Sequence, residues 1–255
     1  MKIKLKKILK ELNTTGYSKI EKLISEKNVL KIKKILKKHK KNTAKNKKFH
    51  GNAHLVFNLN NKDNFFYNII FYKKILKICS QYFKFGAYKT DKNIFQFDHM
   101  HARTLIGKSK SQNLHIDSRL CGVSPPTSIH FFIYLDPASK LNGATTFVKG
   151  SQMIKRFPEN KDKKKATSVN CNAGDAIVLN SSVWHGSGEK KSPGERTIIT
   201  LAYTRWFISQ QFAIPYSLKN KNKFTKEQKY LLGFYNYPPK NEKQRQTRRG
   251  SLPRY

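Results

Sequence analysis

The sequence predicts a mainly β chain of 255 residues, folded as a barrel or a two-sheet sandwich with helices at its N-terminal end. Three observations predict this class. Between residues 94 and 203, short runs of β-branched and aromatic residues alternate with turns about every ten residues. The turns carry glycine, as in Asn142-Gly143 and Ala173-Gly174-Asp175. Helical spacing of apolar residues is found outside this stretch.

The N-terminal 48 residues carry 18 lysines and two recognisable elements. Thr15-Gly16-Tyr17 predicts a turn that leads into a short strand over residues 17–20. Ser25 suits the cap of a helix, because the apolar residues after it recur at helical spacing: Val29, Ile32 and Leu36. The lysines of that helix would occupy its solvent-facing side. A second helix, packed on the core, is predicted over residues 65–83.

Most of the remaining elements are predicted as strands. The run over residues 127–137 is strongly apolar and β-prone, which favours a buried central strand. Asn142-Gly143 is a tight-turn dipeptide before the next strand. The predicted strands are residues 94–116 (in short segments), 127–137, 144–148, 176–179 and 197–203. A capping-box pattern at Thr225 and Gln228 predicts one more short helix.

Charge is the most prominent feature of the composition. The net charge is +37, and its 52 basic residues comprise 43 lysines and 9 arginines. Two interpretations stay open: a selected anionic partner such as a nucleic acid, or compositional drift that enriches lysine and asparagine. The scarcity of arginine favours drift, because arginine is the residue suited to bidentate recognition of phosphates and bases. In either case the positive field attracts anions, and salt screens it.

Other features limit the class of protein. The three cysteines, Cys79, Cys121 and Cys171, are far apart, which argues against a zinc site and against a disulfide framework. No run of 18 apolar residues occurs, so no transmembrane helix is expected. The basic segment 1–10 lacks the apolar stretch and cleavage site of a secretory signal. A soluble, cytoplasmic protein is therefore expected.

Three residues in the strand-rich region are candidates for metal binding and catalysis. His115 and Asp117 lie two residues apart in a β-type segment, so both side chains point to one face. Such a pair alone is a weak signal, because it is frequent by chance. His185 follows far enough along the chain to cross a barrel and return. Two histidines and one carboxylate form the facial triad of non-haem iron(II) oxygenases, which makes these three residues the predicted ligands.

Arg196 follows His185 and begins a predicted strand. Its guanidinium could clamp a carboxylate through two hydrogen bonds. Taken alone, the residue is better explained as a surface arginine, but beside a metal triad the clamp is favoured. The pair His99-x-His101 is a competing metal candidate.

The motifs around these residues resemble one known family. In order and spacing they are similar to the phytanoyl-CoA dioxygenase family of 2-oxoglutarate oxygenases, over residues 12–215. The resemblance implies a double-stranded β-helix core, which is a jelly-roll or cupin-like barrel, with flanking N-terminal helices. The matching motifs are LHID (residues 114–117), LD (135–136), NGATTFVKGSQ (142–152), AGDAIVLNSSVWHGSG (173–188) and Arg196.

The resemblance also implies roles for individual residues. The three triad residues would bind Fe(II), and Arg196 and Ser187 would hold the distal carboxylate of the cosubstrate 2-oxoglutarate. Phe132 matches a position near the cosubstrate where tryptophan is frequent. With dioxygen, the site would hydroxylate a small organic substrate, with an anionic one as an option, and release succinate and carbon dioxide. Hydroxylation is expected because Asp117 is retained where halogenating relatives have a small residue.

The contacts to substrate stay open. Arg103, Arg119 and Arg205 lie near triad segments and could meet an anionic group, and Arg119 would share the face of Asp117 if its strand continued. Each of the three is also explained as an ordinary surface or salt-bridged arginine. Two departures from the usual family motifs, Gln152 for histidine and Ile116 for glutamine, leave the subfamily and the substrate open.

The chain is predicted to have three parts. Residues 1–50 would form a lysine-rich strand and helix packed on the core, residues 51–215 the oxygenase core, and residues 216–255 an extension with a short helix and a basic, poorly ordered tail. Two alternatives to an oxygenase remain. One is a non-catalytic jelly-roll binding module, and the other is a basic nucleic-acid-associated protein.

Overall fold

Two antiparallel sheets form the centre of the computed structural model, which describes residues 2–39, 53–89, 93–218, 220–239 and 241–243. The strands are β1 (Tyr17–Ile20), β2 (Ala53–Val56), β3 (Phe95–Ile106), β4 (Ser128–Tyr134), β5 (Thr145–Phe147), β6 (Thr167–Ser168), β7 (Ala176–Asn180), β8 (His185–Ser187) and β9 (Glu195–Arg205). The larger sheet has the order β1-β7-β4-β9-β3-β2, and the smaller has the order β6-β5-β8. This pair of sheets is the predicted double-stranded β-helix.

The central strand β4 shows how the sequence builds two cores. Side chains alternate between the faces of a strand, so Ile129, Phe131 and Ile133 pack on the helix side of the larger sheet. Phe132 and Tyr134 point the other way and pack with Phe147 of the smaller sheet. Both faces of β4 are therefore covered, which explains its almost unbroken apolar run.

Helices cover the outer face of the larger sheet. They are α1 (Lys2–Thr14), α2 (Glu26–His39), α3 (Phe66–Ile70), α4 (Lys73–Phe83), α5 (Ile214–Ser217) and α6 (Lys226–Leu231). The predicted capping box of α6 is present, because Thr225 Oγ1 accepts from Gln228 N while Thr225 N donates to Gln228 Oε1. Among the described residues, no helix combines the length and the apolar character needed to cross a membrane.

Several elements differ from the sequence-based expectation, among them strands β2, β6 and β8 and helix α5, which were not predicted. The helix predicted over residues 65–83 is two helices, because Tyr72 adopts an extended backbone between α3 and α4. Helix α1 was not predicted, although its buried residues Ile8 and Leu12 have helical spacing among the lysines. The short segments predicted from residue 94 onward are one long strand, β3, in which polar residues face the interior instead of ending the strand.

The remaining expectations have mixed outcomes. Strand β1 has the predicted bounds, and all three cysteines are free. The predicted poorly ordered tail falls at the end of the extension over residues 216–255, of which residues 219, 240 and 244–255 lie outside the described residues. The division into three parts stays a prediction.

Candidate active site

The backbone brings the three predicted ligands together. His115 lies in an extended segment beside β8, where its N–H donates to His185 O at 2.9 Å and its carbonyl accepts from His185 N at 3.0 Å. This antiparallel bridge places the two imidazoles side by side, with ring centroids 4.4 Å apart. Asp117 N donates to Ser181 O at 2.9 Å, which keeps the segment against the barrel. One candidate ligand atom from each of His115, Asp117 and His185 lies within 4.8 Å of the others.

The backbone also selects the nitrogen that each histidine presents. In His115 and His185, Nδ1 lies 3.0 Å from a backbone carbonyl oxygen, that of Asn113 and that of Val183. A carbonyl oxygen only accepts, so Nδ1 carries the proton and Nε2 presents a lone pair. The two Nε2 atoms lie 3.9 and 3.4 Å from carboxylate oxygens of Asp117. Two imidazole lone pairs and one carboxylate are a donor set that suits a divalent iron ion.

Burial and neighbouring charges set the protonation of these groups. Burial lowers the pKa of His185 to about 4, although the Asp117 carboxylate opposes this shift. His185 is therefore neutral at pH 7, which is the form that binds a metal. Burial raises the pKa of Asp117, but the imidazoles of His185, His130 and His115 lower it by more, so the net pKa lies below its usual range. The carboxylate is accordingly ionised.

Arg196 is fully buried at the start of β9 and has unsatisfied donors. Its Nη2 donates to Gly143 O at 2.6 Å and to Ser187 Oγ at 3.0 Å. Among the described residues, its Nε and Nη1 have no hydrogen-bond partner. Burial lowers the pKa of Arg196, but a guanidinium stays protonated in proteins at neutral pH. Buried charged donors of this kind are suited to binding an anion.

A cavity of about 230 Å³ joins the triad to Arg196. Ser187 and Phe132, for which the family resemblance implies positions near a cosubstrate, also line it, and the Phe132 ring lies 5.5 Å from the ring of His185. Thr145 lines the same wall and shares a 2.7 Å hydrogen bond with the Tyr134 hydroxyl. The cavity is smaller than a typical site for a drug-sized ligand, so it suits small molecules.

The three candidate substrate arginines have different positions. Arg103 lines the cavity, and burial together with the like charge of Arg196 lowers its pKa to about 10. Arg119 is exposed and does not line the cavity, because the segment bends after Asp117 instead of continuing as a strand. Arg205 is buried away from the cavity, where it donates to Pro126 O at 2.8 Å and to Phe85 O at 2.6 Å. The structure therefore brings one of the three to the site.

Several cavity residues were not predicted. His99, His101 and His130 line the cavity, together with Gln112 and Gln211. The rings of His99 and His101 are stacked at 5.3 Å, and no third ligand group joins them among the described residues, so the competing metal pair lacks support. A signal for these residues was present in the sequence. His130 interrupts an apolar run, and His99, His101 and Arg103 alternate along one strand face.

Solved structures share the architecture. HygX from Streptomyces hygroscopicus, crystallised with nickel, 2-oxoglutarate and hygromycin B, aligns with a TM-score of 0.64 at 14% identity, covering 80% of this chain and 88% of HygX. SnoN, a non-heme alpha ketoglutarate dependent epimerase from nogalamycin biosynthesis, aligns with a TM-score of 0.69 at 12% identity, covering 88% of this chain and 90% of SnoN. At such low identity the likeness shows the fold alone.

Curated relatives match over shorter segments. The dioxygenase FUM3 of Gibberella moniliformis is 25% identical over 119 residues, which are 46% of this chain and 39% of FUM3. The dioxygenase olcK of Penicillium canescens is 33% identical over 94 residues, which are 34% of this chain and 31% of olcK. Rv1501 of Mycobacterium tuberculosis is 34% identical over 85 residues, which are 33% of this chain and 31% of Rv1501. The matches thus span less than half the length of these relatives.

The family comparison covers most of the chain. The sequence profile of the family described as phytanoyl-CoA dioxygenase (PhyH) matches residues 12–198. This range contains the triad and Arg196, and it extends from α1 into β9. The chain belongs to the phytanoyl-CoA dioxygenase family.

Proposed function

We propose that the chain is an Fe(II)- and 2-oxoglutarate-dependent dioxygenase that hydroxylates a carbon atom of a small, anionic organic substrate. The observation that carries the proposal is the convergence of His115, Asp117 and His185 in the cavity that Arg196 also lines. Bound iron would supply the oxidising chemistry, in which one atom of dioxygen enters the substrate and the other enters succinate, with release of carbon dioxide.

Different residues of the chain would bind the metal and the cosubstrate. Two imidazoles and a carboxylate would hold iron on one face and leave the opposite positions open. Arg196 would bind the distal carboxylate of 2-oxoglutarate through its unpartnered Nε and Nη1, and Ser187 would add its hydroxyl. Phe132 would form the apolar wall beside the cosubstrate.

Arg103 supports an anionic substrate. Its side chain is mostly buried on β3, and it lies in the cavity with Arg196. With a pKa of about 10 it stays cationic at neutral pH, so two positive charges face one small space. One of them would serve the cosubstrate, and the other would attract an anionic group of the substrate. Arg119 and Arg205 are not part of this proposal, since neither lines the cavity.

The descriptions of two structural neighbours are consistent with this chemistry, and one of them adds a second reaction. HygX was crystallised with a metal and 2-oxoglutarate, and SnoN is an epimerase that depends on alpha ketoglutarate. Hydroxylation and epimerisation are therefore the two reactions to separate by experiment. They differ in the product, because a hydroxylated product gains an oxygen atom from dioxygen and an epimer keeps the mass of the substrate.

Succinate release tests the reaction class without knowledge of the substrate. The purified chain, supplied with Fe(II), 2-oxoglutarate and a panel of small carboxylates and phosphates, should form succinate. His115→Ala and Asp117→Ala should reduce this to background, because each removes a metal ligand. The matched control is His54→Ala, since His54 lies on β2 outside the cavity. Labelled dioxygen then separates hydroxylation from epimerisation by product mass.

Two outcomes would count against the proposal. If His115→Ala and Asp117→Ala both formed succinate at the wild-type rate, the triad would not be the metal site. If calorimetry showed no binding of 2-oxoglutarate to the manganese-loaded chain, a non-catalytic binding module would be the better description.

The panel also tests Arg103, because Arg103→Leu should raise the KM for an anionic substrate while sparing the KM for 2-oxoglutarate.

A further inference from the structure

We infer that His130 is a positioning residue, which holds one oxygen of Asp117 and so fixes the direction in which that carboxylate meets a metal. This inference rests on the proposed function. Nδ1 of His130 lies 2.8 Å from Asp117 Oδ2, at hydrogen-bonding distance, with a less direct angle than an ideal hydrogen bond has. Among the described residues, Nδ1 of His130 has no hydrogen-bond partner of good angular geometry, and the polar atom that it faces is this carboxylate oxygen.

The two residues lie on elements of unequal rigidity. Asp117 belongs to an irregular segment, where its backbone N–H makes a single hydrogen bond to Ser181 O, and its side chain is 25% exposed. His130 lies in β4, which is paired with β7 on one side and β9 on the other, and its side chain is 4% exposed. Contact with His130 therefore ties a partly exposed carboxylate to the centre of the larger sheet.

The ring of His130 also contacts the ring of His99. His130 on β4 and His99 on β3 both lie opposite Ala202 of β9, so all three side chains share one face of the sheet. Because alanine is small, the two imidazoles meet across the strand, with centroids 5.6 Å apart and planes at 90°. His99 Nδ1 in turn lies 2.9 Å from Asp98 Oδ2.

This row of side chains reaches another part of the cavity wall. Asp98 Oδ1 accepts a 2.6 Å hydrogen bond from the backbone N–H of Gln211, a residue that also lines the cavity. The row therefore runs from Gln211 through Asp98, His99 and His130 to Asp117. Each member is in contact with the next, so His130 contacts His99 as well as Asp117.

Positioning, and not ligation, is the role that the geometry supports. Among the described residues, the convergent ligand group contains His115, Asp117 and His185 and does not include His130. A carboxylate oxygen accepts, so the facing Nδ1 of His130 must carry a proton. Oδ1 of Asp117, which faces His115 Nε2 at 3.9 Å, stays available for the metal. Partners of this kind orient metal ligands, and their loss weakens metal binding by about 10–100-fold.

The test is the affinity for Mn²⁺, which is independent of turnover. His130→Leu removes the donor and should raise the dissociation constant for Mn²⁺ by about 10–100-fold, measured by calorimetry or electron paramagnetic resonance. His130→Asn places an amide nitrogen at the position of Nδ1 and should restore most of the affinity. His130→Gln places its nitrogen at the position of Nε2 and should bind as weakly as His130→Leu. A merely structural role would not separate the two amide variants.

The matched control is His54→Leu. His54 lies opposite Thr104 on β2, on the other face of the sheet from Leu55, which lines the cavity. This variant should bind Mn²⁺ as the wild type does. Wild-type protein that fails to bind Mn²⁺ would contradict the proposed function itself. Wild-type protein that binds, with His130→Leu or His130→Gln folded and binding equally well, would overturn the positioning role alone.

Discussion

The guanidinium of Arg196 is buried with few hydrogen-bond partners from the protein. Burying an ionised group without a charged partner costs several kcal/mol, and one carbonyl and one hydroxyl are the hydrogen-bond partners of Arg196 among the described residues. A bound carboxylate would provide the missing charge and accept from Nε and Nη1. Ligand binding and fold stability are therefore linked at this residue.

The variant Arg196→Leu should separate the binding of 2-oxoglutarate from the stability of the fold. The variant should lose the rise in Tm that 2-oxoglutarate gives the Mn²⁺-loaded wild type, a stabilisation of about 2.7 kcal/mol when the ligand is at 100 times its Kd. Without ligands, its Tm should equal or exceed that of the wild type, because an apolar side chain replaces a buried charge. Thermal melts with and without ligand measure both quantities. A variant that kept the full ligand-induced shift would show that Arg196 does not bind the carboxylate.

The residues that could be predicted from sequence share one property. His115, Asp117, His185 and Arg196 stand in local motifs whose spacing carries their chemistry. His130 and His99 have only a weak local signal, which does not show that they meet, since their contact depends on Ala202, a residue of a third strand. Arg119 could not be placed because its prediction depended on a strand that ends before it. Contacts between side chains on neighbouring strands are therefore the part of the site that could not be predicted from a single sequence.

At the scale of elements, strands β1, β4, β5, β7 and β9 were predicted from sequence, whereas β2, β6 and β8 were not. The bounds of β1 and the burial of β4 follow from a local turn and a local apolar run. The length of β3 does not, because polar residues that face a cavity look like interruptions when the cavity is unknown. Helix α1 was not predicted for a related reason. Its many lysines conceal the helical spacing of its few apolar residues, of which Leu12 is fully buried. In both cases tertiary environment overrides local composition.

The carboxylate of Asp175 stabilises the region where β1 pairs with β7. Asp175, in the turn before β7, accepts 2.9 Å hydrogen bonds from Lys22 N and Asn172 N, and pairs with Lys19 Nζ at 3.1 Å. Burial raises the pKa of Asp175, but these hydrogen bonds and Lys19 lower it by more, so its folded pKa lies below the ordinary value. A depressed folded pKa means that the ionised group stabilises the fold.

Asp175→Asn should therefore lower the free energy of unfolding by about 1–3 kcal/mol near neutral pH. The contribution is present above the unfolded pKa of about 4 and is lost as pH falls towards the folded pKa, so the difference from wild type should shrink below about pH 4. Urea denaturation at a series of pH values measures this. Glu21→Gln, a nearby exposed change, should stay within about 0.5 kcal/mol. A difference for Asp175→Asn that did not change between about pH 6 and about pH 3 would refute the electrostatic explanation.

At the scale of the whole molecule, the positive charge opposes compaction. The 15 acidic residues balance only a small part of the 52 basic ones, which leaves a net charge of +37. Several of the acidic residues form ion pairs, as in Lys19–Asp175, Lys33–Asp136 and Arg156–Asp162. Unbalanced like charges repel each other and destabilise the folded state. The same charge would attract polyanions without any specific site, so basicity alone does not identify a nucleic-acid partner.

Salt should accordingly stabilise this protein. Raising NaCl at pH 7 shortens the Debye length from about 30 Å at 0.01 M to about 10 Å at 0.1 M, which screens repulsion between exposed lysines, so Tm should rise. The control is the same series near the sequence pI of 10.2, where the net charge is small and the rise should largely vanish. Weak duplex-DNA binding that disappears over the same salt range would fit non-specific attraction. A Tm that stayed flat with salt at pH 7 would mean that the surface charge is neutralised locally, and would contradict destabilisation by repulsion between lysines.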